Sequence, residues 1–227
     1  MHQKICLIGG TGLMSSRMFN GFKPIKVKNE YGRVTIFRQG DIFFIQRHHD
    51  NLPPHKINFK AYFKAIKDLG VTKIISFNSV GGLKPNLKVP GLLIPHDFIF
   101  LNGNPTFFND KIVTTTPIFS KELRRLLIKI CGEAKAPVYE KGVYLQTAGP
   151  RFETAAEIKM FAQFADVVGM TLASEVILAA EIGVPIASLN SIDNYCNGVS
   201  GHLDYKAGAS KNLKVVEKIV KNILCKF

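Results

Sequence analysis

Acidic residues are scarce in this 227-residue chain: 17 Asp and Glu stand against 30 Lys and Arg, for a formal charge of +13. Such an imbalance favours anionic ligands and non-specific contact with nucleic acid. The lysines are nevertheless spread along predicted helices, as in Lys60, Lys64 and Lys67 or Lys211, Lys214, Lys218 and Lys221, with no short basic block interleaved with stacking aromatics. They read as a solvated face, so no dedicated nucleic-acid binding is expected. Cysteine is sparse too. Cys6, Cys131, Cys196 and Cys225 show no Cys-x-x-Cys spacing, which argues against a zinc site or a disulfide framework, and no metal is expected. No run of about eighteen apolar residues occurs, so no membrane span is predicted. The first residues pass directly into a glycine turn instead of a secretory apolar core, and a cytoplasmic location is expected. No segment repeats, and with 46% hydrophobic content the chain suffices for one sizeable core, so residues 1–227 are expected to form a single domain.

Strand and helix patterns alternate. Residues 4–8, 34–37, 42–45, 73–77, 92–94, 143–146, 166–168 and 185–192 read as strands. Phe59, Tyr62, Phe63, Ile66 and Leu69 fall at i, i+3, i+4, i+7 and i+10 and predict a helix stopped by Gly70. Helices are also predicted over 123–130, 153–164 and 174–182, and at the C-terminus, where Leu213, Val216, Val220 and Ile223 share a side. This order predicts an α/β fold with a central, mostly parallel sheet. Residues 100–120 are rich in Asn, Thr, Pro and Phe and are expected to form a mobile loop or a subunit contact.

Polar groups suited to an anion follow four strands. Gly9-Gly10-Thr11-Gly12 lets backbone N–H groups approach closely, with a hydroxyl from Thr11. It lacks the third glycine of Gly-x-Gly-x-x-Gly and the acidic residue a dinucleotide site needs. Arg47 brings a planar fork matched to phosphate, and His48 a further donor or a positive charge. Asn78-Ser79-Val80-Gly81-Gly82 and Met170-Thr171 supply small or hydroxyl-bearing residues. In an open parallel sheet such ends share one edge, which predicts that Thr11, Arg47, Ser79 and Thr171 converge. Residues 141–157 read as a strand, a Gly-Pro turn and then Glu153, an acceptor-only group suited to a ligand with N–H donors. The alternative for Glu153 is a carboxylate drawn to a helix N-terminus by the macrodipole.

Taken in order, Gly-Gly-Thr-Gly-Leu at 9–13, Arg-His at 47–48, Pro-Pro-His-Lys-Ile-Asn-Phe at 53–59, Asn-Ser-Val-Gly-Gly-Leu at 78–83, Ala-Gly-Pro-Arg-Phe-Glu-Thr at 148–154, Val-Gly-Met-Thr at 168–171 and Asp-Asn-Tyr at 193–195 resemble the trimeric purine nucleoside phosphorylases. The resemblance is closer to their methylthioadenosine and methylthioinosine branch. It implies a single-domain nucleoside phosphorylase fold with a central mixed sheet flanked by helices, assembly as a homotrimer or homohexamer, and no metal or organic cofactor, with inorganic phosphate as co-substrate and a purine nucleoside as partner. By motif it assigns phosphate to Thr11, Arg47, His48, Ser79 and Thr171, the sugar to Met170 and Asn78, and the base to Phe152, Glu153 and Asn194, with Asn194, Glu153 and His48 as the catalytic set.

Donor and acceptor counts then favour a 6-oxopurine, since ionised Glu153 accepts from N1–H while the Asn194 amide donates to O6 and accepts from a protonated N7. The branch acting on adenine usually carries Asp at the position of Asn194. Alternatives are a methylthioadenosine phosphorylase, an inactive nucleoside-binding relative and a basic RNA-associated protein. Three features depart from the family pattern: a shorter segment at 102–116, Pro90-Gly91-Leu92 for Pro-Gly-Asp, and Ser174-Glu175 for Pro-Glu. Asp193 reads as a structural residue in preference to a catalytic acid, and His202 as a solvent-exposed loop residue in preference to one near the sugar 5′ end.

Overall fold

The computed structural model describes residues 3–101, 103–200 and 205–227. Strand β1 (Ile5–Gly9) is apolar and buried on both faces, as an interior parallel strand should be. After it come β2 (Lys23–Asn29), β3 (Gly32–Gln39), β4 (Ile42–Gln46), α1 (Phe59–Asp68), β5 (Lys73–Gly82), β6 (Gly91–Leu93) and β7 (Asp97–Phe100). The second half contributes α2 (Lys121–Glu133), β8 (Val143–Gln146), α3 (Ala155–Phe161), β9 (Val167–Gly169), α4 (Leu172–Ile182), β10 (Ile186–Tyr195) and α5 (Tyr205–Leu224).

One ten-stranded sheet runs β2-β3-β4-β1-β5-β9-β8-β7, with β10 pairing both β5 and β6. Side chains alternate across β1 and so split the core into two layers. Cys6 and Ile8 pack with α1 and α4, whereas Ile5 and Leu7 pack with α2 and α5. A smaller cluster holds α3, through Ile158 and Phe161, against Leu145 and Val168.

The sheet is mixed. β1 is parallel to β4 and β5, and β5–β10, β7–β8 and β8–β9 are also parallel. The β2–β3–β4 meander, β5–β9 and β6–β10 are antiparallel. Sequence reading misses β2, whose exposed Lys23, Lys26 and Lys28 are the charges that keep an edge strand from pairing further. It also misses the short β7. Within 101–119, Glu181 from α4 anchors the chain by accepting from Thr106 Oγ1 and from the Phe107 N–H, both at 2.7 Å.

Two boundaries bear on function. β5 does not end at Phe77, because Asn78 to Gly82 remain paired to β10, and the polar Asn78 finds in-sheet acceptors in Ser76 and Ser188. α3 starts at Ala155, not at 153. Thr154 is its N-cap and shares a capping box with Glu157. The carboxylate that serves the helix end is therefore Glu157, which leaves Glu153 outside the helix for another purpose.

Candidate functional site

The loop after β1 is fastened to β5 by the Gly10 N–H, which donates to Phe77 O at 3.1 Å, and Arg47 N donates to Gly9 O at 3.1 Å. A Cβ at Gly10 would lie 2.8 Å from Arg47 Nη2, so this glycine is what lets the guanidinium pass beneath the turn. Arg47 is only 1% exposed. Its Nε donates to Gly9 O at 3.3 Å, and its Nη1 faces Asn78 Oδ1 at 2.8 Å, Thr171 Oγ1 at 3.1 Å and the Glu175 carboxylate. Nη2 donates to Phe77 O. Of the five N–H groups, one on Nη2 is left over for a ligand, so Arg47 is not the open fork expected from sequence.

Glu175, buried beside Arg47, also accepts from Ser76 Oγ at 2.5 Å. Burial pushes its carboxyl up against the opposing pull of Arg47 and Ser76. Ser174, where the family pattern has proline, donates its N–H to Gln146 Oε1 at 3.1 Å and accepts from Gln146 Nε2 at 2.7 Å. Proline has no N–H to make the first of these bonds. Sequence reading noted Ser174-Glu175 only as a departure and missed Glu175 as the counter-ion of Arg47. The signal was a lone acid inside an otherwise apolar helix stripe.

Thr171 reaches this cluster for a reason other than the shared parallel edge. β9 runs antiparallel to β5 with Val168 opposite Gly81. Continuing along β9 and back along β5 brings Thr171 beside Asn78, and its hydroxyl lies 3.0 Å from Asn78 Oδ1.

His48 is half-buried, and its Nδ1 lies 2.8 Å from Leu52 O. A carbonyl only accepts, so Nδ1 carries the proton. Burial, and next the charge of Arg47, hold the His48 pKa below its ordinary value. At neutral pH the ring is uncharged and Nε2 presents a lone pair, which corrects the expectation of a positive charge or further donor at this position.

At the other end, Glu153 is buried and its Oε1 accepts from Thr147 Oγ1 at 2.6 Å, leaving Oε2 available. Its backbone carbonyl accepts from Asn197 Nδ2 at 2.8 Å. Thr147 lies within the 141–157 run, yet nothing in the pattern distinguished it as the residue that aims Glu153. Gly149, at φ 65°, lies where a Cβ would stand 2.6 Å from Met170 Sδ. Met170 is thereby pressed onto the Gly-Pro turn. Asn194 follows a bulge in β10 and donates through Nδ2 to Tyr195 O at 2.9 Å, which leaves Oδ1 and a second N–H. Cys196 is buried close to Glu153; burial, and then that carboxylate, push its thiol up to about 12, so it is an inert thiol at neutral pH. Phe152 is 60% exposed and meets Tyr205 edge-on at 5.9 Å.

Many of these groups line one cleft of about 980 Å³. Its wall includes Thr11, Arg47, His48, Asn78, Ser79, Phe152, Glu153, Met170, Thr171 and Asn194, together with Tyr205 and Lys206 at the start of α5. Asp193 does not line it. This carboxylate is fully buried and accepts from Ser79, Ser191 and Asn212, in keeping with its expected structural role. His202 lies outside the described residues. Among the described residues no group of His, Cys, Asp or Glu is placed to hold a metal, and no helix is long and apolar enough to cross a membrane.

A volume near the upper end of the usual range for small-molecule sites, with an anion-suited floor and an acid-amide pair in the same wall, can seat an ionic group and a heterocycle together. The phosphorylase superfamily model matches residues 4–225. A probable 6-oxopurine nucleoside phosphorylase of Archaeoglobus fulgidus is 39% identical over 96% of this chain and 96% of its own length. A probable S-methyl-5′-thioinosine phosphorylase of Methanocaldococcus jannaschii is 38% identical over 95% of this chain and 91% of its own. Among solved structures, a methylthioadenosine phosphorylase of Schistosoma mansoni in complex with adenine shares the fold, with a TM-score of 0.87, 24% identity, and coverage of 96% of this chain and 89% of that one. The chain belongs to the phosphorylase superfamily.

Proposed function

We propose that the protein cleaves 6-oxopurine nucleosides (inosine, guanosine or methylthioinosine) with inorganic phosphate, giving the free base and a ribose or methylthioribose 1-phosphate. The observation that carries this is the single cleft whose wall holds both the anion-suited group and the Glu153–Asn194 pair. Phosphate binds against Thr11, Ser79, His48 and the remaining N–H of Arg47, with Thr171 and Asn78 fixing that arginine. Met170 meets the sugar, while Phe152, Glu153 and Asn194 meet the base; Asn78, expected at the sugar, has both amide N–H groups on Ser76 and Ser188 and its oxygen on Arg47 and Thr171, so it serves the anion end instead.

A phosphate oxygen then forms a bond to the anomeric carbon as the bond to the purine nitrogen breaks, and the electron pair leaves with the base. Positive charge develops on the sugar and negative charge on the purine. A held anion beside the sugar and the free Asn194 N–H on the purine therefore bind the transition state better than the ground state. Glu153 Oε2 accepts from N1–H; Asn194 donates to O6 and accepts from a protonated N7. The adenine-type alternative is less well matched, because the adenine N1 lone pair would face the Glu153 carboxylate. No metal or organic cofactor takes part in this scheme.

A cytoplasmic trimer or hexamer completes the proposal. It is supported by the apolar surface of the 101–119 segment, where Leu101, Ile112 and Ile118 are 61%, 94% and 67% exposed. The test is base release from matched inosine- and adenosine-type substrates with and without phosphate, with light scattering to give the assembly mass. Phosphate-independent release, or a preference for adenine, overturns the assignment.

A further inference from the structure

Ser79 lines the anion end of the cleft, but its hydroxyl proton is turned away from it. The Ser79 Oγ donates to Asp193 Oδ2, and Ser191 Oγ donates to the same oxygen at 3.1 Å. Asp193 Oδ1 accepts from Asn212 Nδ2 at 2.8 Å. The carboxylate thus meets donors on both oxygens, and Asn212 Nδ2 is itself fixed by also donating to Ile192 O at 3.3 Å. A bulge in β10 sets Asp193 out of register with β5, between Ile192 opposite Val80 and Asn194 opposite Gly81. α5 clamps it there: a Cβ at Gly208 would collide with the Asp193 carbonyl. Burial raises the Asp193 carboxyl to about 6, so it is ionised and acceptor-only at pH 8.

A hydroxyl whose proton is committed behind it offers only lone pairs in front. Lone pairs repel a fully ionised oxyanion unless one of its oxygens carries a proton. Monohydrogen phosphate has one P–OH to give, whereas sulfate at the same charge has none.

We propose that Asp193 is a positioning residue which, by capturing the Ser79 hydroxyl, makes the anion pocket select a protonated oxyanion and reject sulfate. The inference rests on the anion pocket assigned above but not on the identity of the nucleoside. Leaving an acceptor unpaired against an anion costs about 1–3 kcal/mol, which corresponds to a preference for phosphate over sulfate of about 5- to 150-fold.

In Asp193→Asn the side-chain oxygen is fixed toward Asn212, which can only donate through Nδ2. The new amide N–H groups then face Ser79 and release its proton into the cleft. Calorimetric titration of phosphate and of sulfate at pH 8 reads the outcome without turnover. The wild type should bind phosphate at least about fivefold more tightly than sulfate, and Asp193→Asn should bring that ratio close to one through a gain in sulfate affinity. In a Ser79→Ala background the Asp193 substitution should leave the ratio unchanged. Ser79→Ala alone, which removes one lone-pair donor, should also narrow it, and carries the test if the Asp193→Asn protein does not fold.

Equal wild-type affinity for the two anions, or a ratio that Asp193→Asn moves as much without Ser79 as with it, overturns the proposal. Loss of affinity for both anions alike would mark Asp193 as merely structural and overturn it too. If the anion preference holds while no nucleoside is cleaved, the reaction assigned above fails and the selectivity stands.

Discussion

Arg47 is held by acceptors from Gly9, Phe77, Asn78, Thr171 and Glu175, and it can give an anion little more than one N–H and its charge. Its substitution by Ala should therefore act twice. The phosphate KM should rise sharply, and folding stability should fall by about 3–5 kcal/mol because Glu175 is left buried without its partner. Paired phosphate kinetics and chemical denaturation check this; a KM change without loss of stability would contradict the buried pairing. Glu153→Gln keeps the side-chain shape at the acid end of the cleft and removes the carboxylate that we propose accepts N1–H. We expect kcat/KM for a 6-oxopurine nucleoside to fall by about 1–3 kcal/mol, and unchanged kinetics would remove Glu153 from the base site.

The elements position these residues through register, and register was only partly legible in the sequence. The 59–69 stripe is reproduced by α1 because burial of one face and the Asn58 cap agree. Short apolar runs located β1, β4 and β8, because these strands are buried on both faces or nearly so. What the sequence concealed was long-range: that β5 continues through two glycines, that β9 turns antiparallel to bring Thr171 to Asn78, and that α5 seats on the β10 bulge. The last point can be tested at Gly208. Alanine in a helix interior normally gains about 1 kcal/mol over glycine. Here its Cβ would strike the Asp193 carbonyl, so Gly208→Ala should lower the thermal midpoint by the equivalent of about 1–3 kcal/mol. A higher midpoint would contradict the seating of α5. The motifs that line the cleft were legible as types because each pairs a turn of small residues with a hydroxyl, guanidinium or carboxylate at a strand end. Their supports, Thr147, Gln146 and Glu175, were not, since each is defined only by the residue it meets in space.

For the whole molecule, the buried ionisable groups give stability a pH dependence of opposing signs. The Asp193 carboxyl rises from 3.8 to about 6 on folding. The folded state therefore binds the proton more tightly, and this contribution is fully present below pH 3.8 and lost as pH rises to about 6. His48 has a lowered pKa, so its contribution is present above 6.5 and lost as pH falls below that value. Asp193→Asn removes the first dependence. Relative to the wild type it should gain about 3 kcal/mol between about pH 4 and pH 7.5, read by denaturation at matched protein concentration; a constant difference would contradict the burial of Asp193.

All of this converges on one cleft, which we propose joins an anion pocket to a purine site. The most direct test is the release of base from inosine and methylthioinosine, and from their adenosine counterparts, in the presence and absence of phosphate. The account predicts that hypoxanthine and a sugar 1-phosphate appear only with phosphate, at least about tenfold faster than adenine, a difference of about 1.4 kcal/mol. Hypoxanthine released equally well without phosphate, or adenine released faster, would contradict it.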